Sequence, residues 1–138
     1  MAPIREAFGE YFDQLELVEA DLMDEQSLLT AIAGSTYVVH VASPFFDGSD
    51  PDKLITPAVN GTKYVMKACQ ATGVRRCVIT SSCDSIDVCS SGCDCIDKTS
   101  RPPDRIYNES HWSNPDRSEG MHTYSKGKVI AEKAAWDF

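Results

Sequence analysis

The sequence lacks long apolar runs and clusters of basic residues. No stretch of its 138 residues approaches the roughly 20 consecutive apolar residues that a membrane-spanning helix requires. The 13 Lys and Arg residues are outnumbered by 21 Asp and Glu residues, so binding to nucleic-acid phosphates is not expected. Residues 1–14 carry several charges and lack the apolar core of a signal peptide. We therefore expect a cytoplasmic protein with a small organic molecule as its partner, without nucleic acid or membrane.

The sequence also lacks paired C-x2-C motifs, although it contains six cysteines. Cys69 and Cys77 lie in apolar stretches and are predicted to pack in the core. The remaining four follow with five, three and one intervening residues: Cys83, Cys89, Cys93 and Cys95. Four thiolates can enclose a zinc ion, and redox-sensitive thiols are a second possibility. Because zinc sites typically use C-x2-C pairs, we predict no metal site and interpret residues 83–123 as a long cysteine-containing loop.

What the sequence does have is a regular alternation of strand-like and helix-like stretches. Strands are predicted at 15–19, 37–42 and 77–80, and helices from Asp24 to Gly34, from Ile55 to Gly73 and over 124–138. The uninterrupted β-branched run at 37–42 is typical of a parallel strand covered on both faces. Strands separated by helices of this length predict an α/β fold with a doubly wound parallel sheet.

Ligands of such sheets bind at the carboxyl ends of the strands. In this sequence those ends lie at 20–21, 42–44 and 81–82. Ser81 and Ser82 follow a predicted buried strand, so a hydroxyl there is held rigidly at the ligand edge and can donate a hydrogen bond to a carbonyl oxygen. The alternative is that the hydroxyls satisfy backbone groups at the strand end, which we expect for one of the two.

Tyr124 and Lys128 are four residues apart, which places them on one face of the predicted helix, one turn from each other. A free tyrosine phenol has a pKa of about 10, and a nearby cation such as lysine favours its phenolate form. The pair alone is equally consistent with a surface aromatic stacked on a lysine stem. Together with the serines at the strand end, it supplies a hydrogen-bond donor, an acid and a cation.

Five ordered stretches carry a family resemblance: LVEADL at 17–22, HVASP at 40–44, PAVNGT at 57–62, VITSS at 78–82 and YSKGKVIAEKAAW at 124–136. They resemble the extended short-chain dehydrogenase/reductase family, and within it the branch of dihydroflavonol reductases and cinnamoyl-CoA reductases. The resemblance implies a Rossmann-type fold and a nicotinamide cofactor, NADP by family habit, with NAD also possible.

The resemblance also implies roles for individual residues. Tyr124 is expected to protonate the carbonyl oxygen as hydride arrives, and Ser82 to bind that oxygen. Lys128 is expected to hold the nicotinamide ribose and to favour the phenolate of Tyr124. The resemblance implies that Tyr124 and Lys128 both contact the cofactor as well.

Further cofactor contacts are implied at the strand ends. Asp21 resembles the family residue near the adenine, while Val41, Ala42 and Ser43 resemble the segment that lines the ribose and phosphates. His40, inside the same strand, is predicted to be a buried core histidine and not a metal ligand or catalyst.

Family members begin with a strand, a glycine-rich turn, a helix and a second strand, and the turn cradles the cofactor pyrophosphate. The sequence contains no such turn. We therefore expect residues 1–138 to form an incomplete Rossmann domain that lacks the first two strands. The predicted function is NAD(P)H-dependent interconversion of an aldehyde or ketone and an alcohol, and no oligomeric state is predicted. The alternatives are an inactive fragment or pseudoenzyme that acts only by binding, and a small metal-binding protein.

Overall fold

A computed structural model describes residues 2–45, 50–86, 104, 106–116 and 121–138. The helices are α1 (Ala2–Phe8), α2 (Glu25–Ile32), α3 (Asp52–Thr72) and α4 (Thr123–Trp136), the strands are β1 (Tyr37–His40) and β2 (Arg76–Ile79), and short 3₁₀ helices cover Gly9–Gln14 and Cys83–Ser85. Within these ranges, no helix is long and apolar enough to cross a membrane.

The ends of α2 and α3 follow from local sequence. The carboxylate of Asp24 accepts hydrogen bonds from the backbone N–H groups of Gln26 and Ser27, at 3.0 and 3.2 Å, and thereby caps the start of α2. Helix α3 ends at Gly73, whose φ of 74° is the left-handed conformation that glycine adopts without strain. The predicted helices were confirmed to within a few residues.

The two strands pair in parallel, and α3 forms the crossover between them. The register aligns Tyr37 with Arg76 and His40 with Ile79. A parallel pair requires a connection long enough to return to the same end of the sheet, and α3 provides it. The carboxyl ends of both strands therefore lie at one edge, as the predicted parallel α/β arrangement requires.

The strand predicted at 15–19 was wrong. These residues follow the first 3₁₀ helix as irregular chain, and Leu17 and Val18 are about half exposed. An extended segment becomes a strand only when its backbone bonds to a neighbour, and no strand in the described ranges lies beside this one. The strand-like composition is therefore not enough to form a strand here.

The prediction that the β1 strand is covered on both faces was also wrong for this structure. Val38 and Cys77 pack toward α2 and α3, whereas Tyr37, Val39 and Val78 on the opposite face are more than half exposed. Successive side chains of a strand alternate between faces, so helices on one side cover only every second residue. The β-branched composition indicates that both faces of the strand can be packed. It does not show that a helix covers each face.

The core lies between the sheet and the helices on its covered face. Its central residues come from α2 and α3: Leu28, Ile32, Val65, Ala68 and Cys69. Helix α4 packs along α3, and its Val129 is completely buried. This packing fixes α4 against the strand ends and thereby determines where its polar residues lie.

The cysteine loop is only partly described. Cys83 is exposed and begins the second 3₁₀ helix. Cys89, Cys93 and Cys95 lie outside the described residues. In the part of the chain that the structure covers, no group of three or more His, Cys, Asp and Glu side chains is arranged to hold a metal ion.

Candidate active site at the carboxyl ends of the strands

A narrow cleft of about 20 Å³ lies where the carboxyl ends of β1 and β2 meet α4. Its polar and small lining residues include His40, Ala42, Ser43, Thr80, Lys128 and Glu132. The volume is comparable to the space occupied by one water molecule. The parallel arrangement brings these residues together, although they are far apart in the sequence.

Lys128 is the buried cation of this cleft. Only 8% of the residue is exposed, and its Nζ donates a hydrogen bond of 2.7 Å to the carbonyl oxygen of Thr80 at the end of β2. Burial lowers the pKa of Lys128 from its ordinary value, and the negative charge of Glu132 opposes that shift. An ammonium group has three hydrogens, and among the described residues only Thr80 accepts one of them, so two can be donated to a ligand.

Tyr124 lies one turn before Lys128 on α4, as the four-residue spacing predicts. Its side chain is partly exposed, and its ring meets that of Phe45 edge to face, with centroids 5.2 Å apart. Phe45 itself is 81% exposed. One side of the tyrosine ring is thus covered by an aromatic residue that follows the end of β1.

The two serines after β2 have different partners. The hydroxyl of Ser81 donates to the carboxylate of Glu132 on α4 and lies 3.2 Å from the hydroxyl oxygen of Ser85. The hydroxyl oxygen of Ser82 accepts a hydrogen bond of 3.2 Å from the backbone N–H of Asp84 and caps the short 3₁₀ helix. Ser81 thus fastens α4 to the sheet, whereas the proton of Ser82 can be donated to a ligand.

Asp84 connects the Ser82 turn to the tyrosine helix. Its Oδ2 accepts a hydrogen bond of 2.7 Å from the hydroxyl of Ser125, the buried residue next to Tyr124. Its backbone carbonyl accepts another, of 2.8 Å, from the hydroxyl of Ser113. Ser82 and Tyr124 are therefore positioned by a common polar link, although no hydrogen bond joins Ser82, Tyr124 and Lys128 directly among the described residues.

His40 is 8% exposed, in agreement with the prediction of a buried histidine. Desolvation lowers its pKa from the ordinary value, and the positive charge of Lys128 lowers it further. The imidazole therefore stays neutral under conditions in which an exposed histidine begins to protonate. A neutral His40 adds no second positive charge beside Lys128.

The predicted cofactor residues fall into two groups. Ala42 and Ser43 line the cleft with Lys128, but Val41 is 63% exposed. Asp21 borders a separate open depression of about 730 Å³, shared with Pro44. Its Oδ1 accepts a hydrogen bond of 2.8 Å from the backbone N–H of Met23, which fixes the carboxylate at the rim. Pro44 follows Ser43 in the chain, so the depression and the cleft are joined through the segment after β1.

Sequence reasoning missed three residues that shape this site, namely Glu132, Asp84 and Phe45. Glu132 could have been found by continuing the four-residue spacing from Tyr124 through Lys128 for one more turn. Asp84 and Phe45 carry no comparable signal, because their partners are 41 and 79 residues away in the sequence.

Comparison with protein families gives a match over nearly the whole chain. Residues 5–136 match the 3-beta hydroxysteroid dehydrogenase/isomerase family. Cinnamoyl-CoA reductase 1 of Petunia hybrida is 40% identical over 126 residues, which cover 91% of this chain and 34% of the relative. The bifunctional dihydroflavonol 4-reductase/flavanone 4-reductase of Malus domestica is 39% identical over 131 residues, 90% of this chain and 34% of the relative. The chain thus spans about a third of the length of these curated relatives.

Solved structures give the same assignment. Vestitone reductase from alfalfa superposes with a TM-score of 0.72 at 26% identity, and the match covers 100% of this chain and 41% of that protein. The Candida albicans Gre2 structure, solved as an NADPH complex, has a TM-score of 0.66 at 30% identity over 100% of this chain and 43% of its own. The predicted Rossmann-type α/β fold and the predicted resemblance to dihydroflavonol and cinnamoyl-CoA reductases are confirmed.

Proposed function

Because the chain belongs to the 3-beta hydroxysteroid dehydrogenase/isomerase family, we propose that it provides the proton-donating part of an NADPH-dependent carbonyl reductase site. The observation that carries this proposal is the buried ammonium group of Lys128 at the strand ends, with Tyr124 one turn away on the same helix face. Burying a cation without a paired charge is costly, so a buried lysine at the ligand edge of a sheet is a candidate functional residue. The reductase names of the relatives support the same reaction class.

The residues of the cleft are proposed to hold one end of a nicotinamide cofactor at the mouth of the cleft, since the cleft itself has room for about one water molecule. Within the described residues Lys128 has two N–H groups left to donate to ribose hydroxyls, and Ala42 and Ser43 lie beside it. Asp21 lies at the rim of the adjoining depression, where it can accept hydrogen bonds from the adenosine half. When bound, the cofactor supplies the hydride. The NADPH complex of Candida albicans Gre2 favours NADPH over NADH in this proposal.

In the proposed reaction, the carbonyl carbon receives hydride and the carbonyl oxygen receives the phenolic proton of Tyr124, which yields an alcohol. Ser82 donates its hydroxyl proton in a hydrogen bond to the same oxygen and stabilises the negative charge that develops there. Lys128 stabilises the phenolate that Tyr124 becomes. Asp84 holds the Ser82 turn and the start of α4 in one arrangement.

The test is Tyr124→Phe, made in an active polypeptide that contains these residues in frame. NADPH consumption is followed by absorbance with a panel of aromatic and aliphatic aldehydes and ketones. Loss of the phenolic proton is expected to lower kcat by at least about 100-fold, since general acid catalysis contributes about 10² to 10⁴. NADPH affinity is expected to stay within about twofold. Tyr37→Phe, on the exposed sheet face, is the matched control. Unchanged turnover in Tyr124→Phe would show that the acid is another group.

The second candidate is that residues 1–138 alone are catalytically inactive and act only by binding a partner other than the cofactor. The observation that favours it is the lack of a G-x-x-G-x-x-G turn in this sequence, because backbone N–H groups of such a turn hold the cofactor phosphates. We propose that these residues alone bind NADPH only weakly. Calorimetric titration of the 138-residue chain is expected to give no saturation in the micromolar range, and micromolar affinity contradicts this candidate.

A further inference from the structure

Glu132 continues the row of polar residues on α4 that begins with Tyr124 and Lys128. Each is four residues after the previous one, so all three lie on one face of the helix. Both oxygens of the Glu132 carboxylate have partners: Oε2 accepts from the hydroxyl of Ser81, and Oε1 lies 3.5 Å from Nε1 of Trp136. The carboxylate is therefore held in one place and is not a freely rotating surface group.

The bond to Ser81 joins α4 to the end of β2. The residue before Ser81 is Thr80, whose carbonyl oxygen accepts the hydrogen bond from Lys128. Two consecutive residues at the strand end are thus bonded to two consecutive turns of α4. This double attachment fixes both the height of α4 along the strand and the direction of the lysine side chain.

The charge of Glu132 also acts on Lys128. These two side chains do not form a direct ion pair within 4.0 Å, so the effect is a through-space attraction between charges one turn apart. Burial disfavours the charged form of Lys128, and Glu132 favours it. The titratable side chains that line the cleft with Lys128 in the described structure are His40, from β1, and Glu132 itself. Tyr124 is the remaining titratable neighbour on the same helix face.

We propose that Glu132 is a positioning residue that keeps Lys128 charged and correctly placed, through its own charge and through its bond to Ser81. The catalytic consequence of this inference rests on the proposed function. The effect of Glu132 on the charge of Lys128 can be measured without any catalysis. The two contributions are separable, since a charge and a hydrogen-bond acceptor can be removed independently.

Three variants separate the two contributions. Glu132→Gln keeps the shape of the side chain and an oxygen acceptor for Ser81 but removes the charge. Ser81→Ala removes the attachment and leaves the charge. Glu109→Gln, at an exposed turn, is the matched control for a lost carboxylate.

The first measurement is the NMR titration of the Lys128 ε-carbon in the 138-residue chain, with Lys128→Met used to assign the signal. In Glu132→Gln the pKa of Lys128 is expected to fall, whereas in Glu109→Gln it is expected to stay unchanged. An unshifted titration in Glu132→Gln overturns the proposal, whatever the activity. If Glu132→Gln does not fold, the same titration in Glu132→Asp decides, because the shorter side chain moves the charge away from its present place and the pKa of Lys128 is again expected to change.

The second measurement is the pH profile of kcat in an active polypeptide that contains these residues. Glu132→Gln is expected to shift the limb governed by Lys128 toward lower pH. Ser81→Ala is expected to lower kcat by up to about 100-fold, the loss that a displacement of about 1 Å from the reactive geometry can cause. Unfolding at lower temperature without a change in the pH profile would indicate a merely structural role and contradict the proposal. A failure of the proposed function gives a different result: Tyr124→Phe then keeps its turnover. The NMR titration of Lys128 still tests the effect of Glu132 in that case.

Discussion

Gly127 determines how closely the tyrosine helix approaches α3. It lies between Tyr124 and Lys128 and is buried against the neighbouring helix. A Cβ atom added at this position would lie 3.2 Å from Cδ2 of Leu54 and 3.8 Å from Cβ of Ala58. A small addition therefore presses on the end of one leucine side chain, whereas a larger one presses on the helix.

These distances predict opposite effects for two substitutions. Gly127→Ala gains about 1 kcal/mol of helix propensity, and the leucine methyl group can move by a few tenths of an ångström, so we expect stability to rise by up to about 1 kcal/mol. Gly127→Val adds two more carbons against the same wall. Overpacking of a core costs about 1 to 3 kcal/mol, and we expect a loss in that range.

Urea unfolding followed by circular dichroism measures both changes in the free energy of unfolding. The control is Leu54→Ala, which alone is expected to cost about 2 to 5 kcal/mol because Leu54 is buried. In that background the valine at position 127 gains space, so its cost should shrink by about 0.5 to 3 kcal/mol. If Gly127→Val is as stable as Gly127→Ala, or if the two sites do not couple, the close approach of the helices does not depend on Gly127.

Two further predictions concern the polar groups around the site. Asp84→Ala and Ser125→Ala remove the same charge-assisted hydrogen bond, so a double-mutant cycle of urea unfolding is expected to give a coupling energy of about 1.5 kcal/mol. Additive effects would show that this bond contributes nothing. Burial lowers the folded-state pKa of His40 below its unfolded value of 6.5, so the unfolded chain binds the proton more readily and stability is lost as pH falls from 6.5 through the folded pKa. His40→Gln is expected to flatten the decline of Tm in this range. Equal slopes for His40→Gln and the unchanged chain would contradict the assignment.

The helices were predictable from the sequence because their signals are local. Asp24 caps α2 from two and three residues away, and Gly73 ends α3 by its own conformation. The segment at 15–19 was not predictable in the same way, since strand formation depends on a neighbour that a sequence pattern does not reveal. The exposure of one face of β1 was not predictable for the same reason, because the sequence pattern does not show whether a neighbour covers that face.

The site shows the same division. The shared helix face of Tyr124 and Lys128 was predictable because a four-residue spacing on a helix is a local signal. The partner of Ser81 could not be assigned from the sequence, because Glu132 is 51 residues away, whereas the bond that Ser82 accepts from the Asp84 N–H is local. A sequence shows that two adjacent hydroxyls stand at a strand end, but only tertiary packing decides which of them is occupied.

The cleft has a consequence for how the chain folds. It joins Ser43, Thr80 and Lys128, so it exists only after two long segments of chain have closed into loops. Contacts between distant parts of a sequence form slowly, so the site is expected to depend on late steps of folding. The free-energy cost of closing a flexible loop grows only logarithmically with its length, by about 0.6 kcal/mol for each doubling. The connection from β2 to α4 can therefore differ widely in length with little thermodynamic cost, provided that α4 still reaches α3.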